Sequence, residues 1–145
     1  MFEELMNRLA GRSPSPEPEL DYRIALSALM VRCARADDVY DPVEIAAIDR
    51  VLQSRYKLSE ADAQTLRREG EALESQANDT VSLTRAIKDG VPYEQRRAVV
   101  EALWRVALAD DSREAEENAL LRLVVSLLGV SDVDSGLARQ AAQKG

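Results

Sequence analysis

Histidine is missing from the chain altogether. That absence removes every Ser-His-Asp or Cys-His nucleophile mechanism and every His-ligated metal centre. Cysteine occurs once, as Cys33. One thiol cannot form an internal disulfide or a structural zinc cluster, and its place on an apolar helical stretch points to a reduced, buried side chain in an intracellular protein. Aromatic residues are scarce, with one Trp, four Tyr and one Phe, and no alternating β-branched or aromatic runs mark strands. No stretch approaches the roughly 20 apolar residues that span a bilayer, and the N-terminus has none of the basic region, apolar run and cleavage site of a signal peptide. The cytoplasm is the expected compartment. Positive charge is also short, with 19 Lys and Arg against 26 Asp and Glu for a formal charge of −7. Nucleic acid, which requires a cationic surface, is therefore excluded as a partner class, whereas cations and basic protein surfaces are favoured.

What remains is a helix-forming composition rich in Ala, Leu, Arg and Glu. The 145 residues fit one domain, and a domain of this size buries roughly 70% of the surface its unfolded chain exposes, so it needs no staples. Phe2, Leu5, Met6 and Leu9 have helical spacing ahead of Gly11, and the Pro-rich run Ser13 to Pro18 then forbids helix continuation. Residues 1–19 thus read as a short amphipathic helix and a linker, and residues 20–145 as the folded domain. The spacing predicts about seven helices there. They cover Leu20 to about Ala36, Asp41 to about Tyr56, Ser59 to about Ser75, Thr80 to Gly90, Pro92 to about Ala109, Arg113 to Leu128, and a last one capped by Ser131. In the second, Ile45, Ile48, Leu52 and Tyr56 mark the buried stripe, leaving Asp49, Arg50, Gln53 and Arg55 to solvent. Asp41-Pro42-Val43-Glu44 has the pattern of a capping box.

A shift of 73 positions pairs Arg32 with Arg105, Ala34 with Ala107, Ala36 with Ala109, Asp37 with Asp110 and Asp38 with Asp111. The same shift pairs Asp41 with Glu114, Glu44 with Glu117, Ile48 with Leu121 and Val51 with Val124, so composition and helical phase return together. After one extra residue in the first half, Leu58-Ser59-Glu60-x-Asp62 matches Val130-Ser131-Asp132-x-Asp134. The fold class expected is all-α, a bundle with an internal pseudo-twofold duplication whose halves cover about 20–77 and 78–145. Two copies are too few for an open solenoid, which needs about three, so the halves should pack on each other.

Each half carries two aspartates just after a buried helix, where the macrodipole is already negative and a carboxylate is disfavoured. A hard divalent cation, Ca²⁺, Mg²⁺ or Mn²⁺, is one means of offsetting that charge. Its oxygen ligands would be Asp37, Asp38, Asp41 and Glu44, with Asp110, Asp111, Glu114 and Glu117 in the second half. A local arginine is another means, and helix capping by Asp41 and Glu44 explains part of the pattern without any ion. An EF-hand does not fit, because neither segment has the sixth-position glycine and final glutamate of that 12-residue loop.

The stretch Leu29-Met30-Val31-Arg32-Cys33-Ala34-Arg35-Ala36-Asp37-Asp38 with Glu44 is echoed by Leu103-Trp104-Arg105-Val106-Ala107-Leu108-Ala109-Asp110-Asp111 with Glu117. Over roughly Leu20 to Gln140 the chain resembles the TerB-like family, named for bacterial tellurite-resistance proteins. The resemblance implies a duplicated helical domain, and a metal-chelating role for Asp37, Asp38, Glu44, Asp110, Asp111 and Glu117. The family pattern has glycine after the first aspartate, where this chain has Asp38 and Asp111, adding charge and making a left-handed turn less easy.

The function expected is a non-enzymatic metal-ion-binding or stress-response module. The alternative is a metal-independent interaction scaffold of helical faces. A carboxylate-based hydrolase ranks below both, since nothing in the chain marks a substrate pocket. A protein partner or self-association is expected, with membrane contact only through the N-terminal segment. Trp104 and Tyr56 read as core anchors, Cys33 as a structural thiol, and Arg67-Arg68 and Arg96-Arg97 as solvated faces with i,i+4 pairing.

Overall fold

The computed structural model describes residues 19–36, 40–77, 79–109 and 119–144. These residues form seven helices and no strand: α1 (Glu19–Ala34), α2 (Pro42–Tyr56), α3 (Glu60–Gln76), α4 (Thr80–Gly90), α5 (Tyr93–Ala107), α6 (Ala119–Leu127) and α7 (Asp132–Lys144). This is the all-α bundle expected from the spacing. The proposed N-terminal helix and linker, and the beginning of the helix expected from Arg113, lie outside the described residues.

The position of α1 follows from its sequence. Every side chain from Ile24 to Val31 is buried, as a helix apolar on all sides requires. It is enclosed by α2, α3, α4 and α5. Ser27 is the polar member of that run, and its hydroxyl is satisfied locally by donating to the Arg23 carbonyl at 2.8 Å. Small residues set the approach of α3. A Cβ added to Gly70 would stand 2.8 Å from the Ser27 carbonyl carbon and 2.9 Å from the Ala28 nitrogen, so only glycine lets the two backbones come this close.

Buried side chains from all seven helices form one hydrophobic cluster. α1 packs most extensively along α3, and α5 along α7, while α1–α4, α1–α5 and α2–α5 contacts join the first three helices to the rest. Trp104 is a core anchor as expected, 6% exposed, with its indole N–H donating to Ser135 Oγ at 3.2 Å. Tyr56 lies at the core margin, half-buried, between the guanidinium groups of Arg23 and Arg55. Cys33 is 2% exposed. On α2 the buried stripe comprises Ala47, Ile48, Val51 and Leu52, whereas Ile45 is only half-buried. The large side chains suggested a narrower stripe because alanine carries a weak hydrophobic signal.

The helix ends are built from local chemistry. Asp41, Ser59, Asp79 and Ser131 each accept a hydrogen bond from a backbone N–H three residues on, at 3.0, 3.1, 2.7 and 3.1 Å. α2 ends with Lys57 in the left-handed region, φ 54 and ψ 50, and the Leu58 amide reaches back to the Gln53 carbonyl at 3.1 Å. α6 ends the same way. Gly129 has φ 74, and the Val130 amide reaches the Val125 carbonyl at 3.2 Å.

Candidate functional site

Of the eight acidic positions singled out by the sequence, Asp41 and Glu44 fall among the described residues. Asp37, Asp38, Asp110, Asp111, Glu114 and Glu117 lie outside them. Asp41 and Glu44 form the expected capping box. Asp41 Oδ1 accepts from the Glu44 amide at 3.0 Å, and Glu44 Oε1 accepts from the Asp41 amide at 3.4 Å. Pro42 occupies the first turn, where its missing N–H costs nothing. Glu44 is 1% exposed, so its carboxylate belongs to the interior side of this corner. Among the described residues no three acidic or cysteine side chains group closely enough to hold an ion.

Both flanks of the first acidic turn are fastened to α3. On the entry side the Ala36 amide closes a tight turn on the Cys33 carbonyl at 3.3 Å. Arg35 Nη1 pairs with Glu74 at 2.9 Å, and its guanidinium lies 5.3 Å from the Tyr40 ring centre. On the exit side the Tyr40 hydroxyl donates to Glu71 Oε2 at 2.6 Å. Burial, reinforced by the Glu71 carboxylate, pushes the Tyr40 phenol well above its ordinary pKa. Glu71 also accepts from Arg67 Nη1 at 2.9 Å, and Arg67 Nε donates to Asp49 Oδ1 at 2.7 Å. One residue before the turn, Arg32 reaches the Glu74 carboxylate at 3.1 Å, the Glu74 and Ala77 carbonyls at 3.0 Å each, and Thr80 Oγ1 at 3.5 Å. This single side chain ties the end of α1 to the end of α3 and the start of α4.

The second turn is entered by the same backbone geometry. The Leu108 amide donates to the Trp104 carbonyl at 2.9 Å and the Ala109 amide to the Val106 carbonyl at 3.2 Å, matching Arg35 to Val31 at 2.9 Å in the first half. The side chains differ. Arg105, in the place of Arg32, pairs with Glu101 of its own helix at 2.9 Å, and Leu108 stands where the first half has Arg35. α7 is instead held by Tyr93, whose hydroxyl donates to Asp134 Oδ2 at 2.7 Å and accepts from the Ser131 amide at 3.2 Å.

Five residues assigned to solvated faces have structural partners, among them Arg97 with Asp134 at 3.8 Å and Arg55 with the Tyr56 hydroxyl at 3.3 Å. Asp49 and Arg67 are paired across α2 and α3, with side chains only 14% and 13% exposed. Arg96 Nη1 donates to the Leu128 carbonyl at 2.8 Å, closing the end of α6. Arg67 does make the expected i,i+4 pair with Glu71, and Arg68 is exposed. The sequence contained one signal for Asp49 and Arg67, namely that each stands next to its helix's buried stripe. Pairing across helices has no local signature.

No helix among the described residues is long and apolar enough to cross a membrane. Comparison with curated proteins gives no match, and neither does comparison with solved structures. The model of the family described as tellurite resistance protein TerB matches residues 23–140, from the central helix through both acidic turns and most of α7, and the chain belongs to that family.

Proposed function

We propose that the chain is a non-enzymatic module, related to tellurite resistance, that binds a divalent cation in the cytoplasm through its two acidic turns. The ligands are Asp37, Asp38, Asp41 and Glu44, with Asp110, Asp111, Glu114 and Glu117 as the second set. The observation that carries this reading is the family match over residues 23–140, and the family is generally non-enzymatic. An all-oxygen donor set suits Ca²⁺, Mg²⁺ or Mn²⁺ better than softer ions. The clamped flanks support it too, because ligands on a turn already fastened at Arg35 and Tyr40 lose less freedom when an ion orders them. A carboxylate has about four lone-pair sites, so the cap bonds of Asp41 and Glu44 do not exhaust its capacity as a ligand.

Calorimetric titration of the metal-free chain with Ca²⁺, Mg²⁺, Mn²⁺ and Zn²⁺ tests this. The expected result is saturable binding of a hard cation, weakened about tenfold or more by Asp37→Ala and by Asp110→Ala, equivalent to about 1.4 kcal/mol or more. No binding to any ion, or binding untouched by both substitutions, removes the metal reading. A second reading, a metal-independent interaction scaffold, is favoured by one observation: Asp41 and Glu44 already serve α2 as caps. It expects the same protein partners, or the same self-association, in EDTA as in added cation.

A further inference from the structure

A groove runs along the outer side of the α2–α5 pair and is closed at one end by the last turn of α7, with a volume of about 910 Å³. Its floor is made of small side chains from three helices: Ala47, Ala98, Ala102 and Ala142. Among the described residues its lining carries Arg50, Arg55 and Arg105 against the one carboxylate of Glu101. A chain with a formal charge of −7 thus concentrates guanidinium groups around one trough. Arg55 is steadied by Tyr56, whose hydroxyl accepts from its Nε at 3.3 Å, and Arg105 by Glu101 at 2.9 Å. Arg50 is exposed.

We propose that this groove is the docking site for an acidic amphipathic helix of a protein partner. Shape and charge together select that occupant. Among the described residues no aromatic side chain lines the groove, and it is open, unlike the enclosed, aromatic-rich pockets that bury small ligands. An alanine floor lets another helix bring its backbone close, as small residues do wherever helices cross at short range. Along α5 the groove extends from Ala98 to Arg105, roughly 10 Å at 1.5 Å per residue, about two helical turns, and continues past the helix end to Leu108 and Ala109. An apolar stripe on the partner covers the alanines, Val51 and Leu108, and flanking carboxylates meet Arg50, Arg55 and Arg105. The described lining ends at Ala109, one residue before Asp110 of the second acidic turn.

The test is a titration of the isotope-labelled full chain, in EDTA, with a helical peptide of about 14 residues, roughly 20 Å long, built from Leu on one face and Glu elsewhere. Two control peptides replace Glu by Lys or Leu by Ser. The expected result is saturable shifts centred on Arg50, Ala98, Ala102 and Gln143 with the Leu/Glu peptide alone. The affinity should fall about tenfold in Arg50→Glu and in Arg105→Gln, corresponding to ~1.4 kcal/mol each, and weaken with added salt. Arg50→Glu keeps the test decisive if Arg105→Gln lowers the melting temperature. The proposal is overturned by shifts elsewhere or none, by equal binding of either control peptide, by unchanged affinity in Arg50→Glu, or by full displacement of the peptide with succinate, which would mark a small-anion site.

Discussion

Three residues show how local chemistry fixes the corners at the two ends of α2. Lys57 occupies a left-handed conformation, φ 54 and ψ 50, that costs a residue with a Cβ about 1–2 kcal/mol. The corresponding position after α6 is Gly129, with φ 74. Replacing Lys57→Gly should therefore raise stability by about 0.5–1 kcal/mol in urea unfolding, the unfolded-state entropy of glycine offsetting part of the relief. Glu44 is the opposite case. Its carboxylate closes the capping box while 1% exposed, so Glu44→Ala loses a cap and leaves a hole, at a cost of about 1–3 kcal/mol by the same measurement. Tyr40 gives a pH signature. Its phenol pKa is raised from 10.0, so the folded state holds the proton when the unfolded chain has released it. The contribution is complete below pH 10 and is lost as the pH climbs from there through the folded value. The stability advantage of the natural chain over Tyr40→Phe should accordingly narrow above pH 10, which denaturation at pH 8 and pH 11 will reveal.

At the scale of elements, the sequence announced most of the helices but not how closely they approach. Asp41-Pro42-Val43-Glu44, Ser59 and Ser131 marked helix starts, and each caps as its chemistry demands. α1 was legible as central because its apolar residues cover every side. Gly70 was not legible. Inside a helical pattern it reads as a propensity defect of about 1 kcal/mol relative to Ala, yet it is the contact that lets α3 lie against Ser27 and Ala28. Gly70→Ala should thus be destabilising by about 1–3 kcal/mol despite the better helix former, because the new methyl meets backbone rather than a flexible side chain. Thermal unfolding decides the sign, and a gain in stability would contradict the close α1–α3 approach. Arg67 and Asp49 escaped notice for a related reason. A pair formed between two helices, 2.7 Å apart, depends on how α2 and α3 are laid together, and no spacing within either helix encodes it.

For the whole molecule, local geometry recurs at some of the positions that the sequence repeat pairs, at a shift of 73 for the turn entries and of 72 for the reversals and caps. The turn entries at Ala36 and Ala109, the reversals after α2 and α6, and the caps at Ser59 and Ser131 all recur. The polar anchors of the two halves differ. Arg32, Arg35 and Tyr40 fasten the first turn to α3, whereas Arg105 pairs within its own helix. The acidic side chains were conspicuous in the sequence as charge at helix ends. The anchors were not, since a lone arginine before an acidic pair looks like any solvated cation until α3 is in place. The most direct measurement of the central claim is Mn²⁺ titration followed by amide-resolved relaxation of the isotope-labelled chain. The account predicts broadening centred on residues 36–44 and 109–119 at low Mn²⁺, abolished at the first turn by Asp37→Ala. Broadening spread evenly over the acidic surface, or unaltered by that substitution, would contradict it.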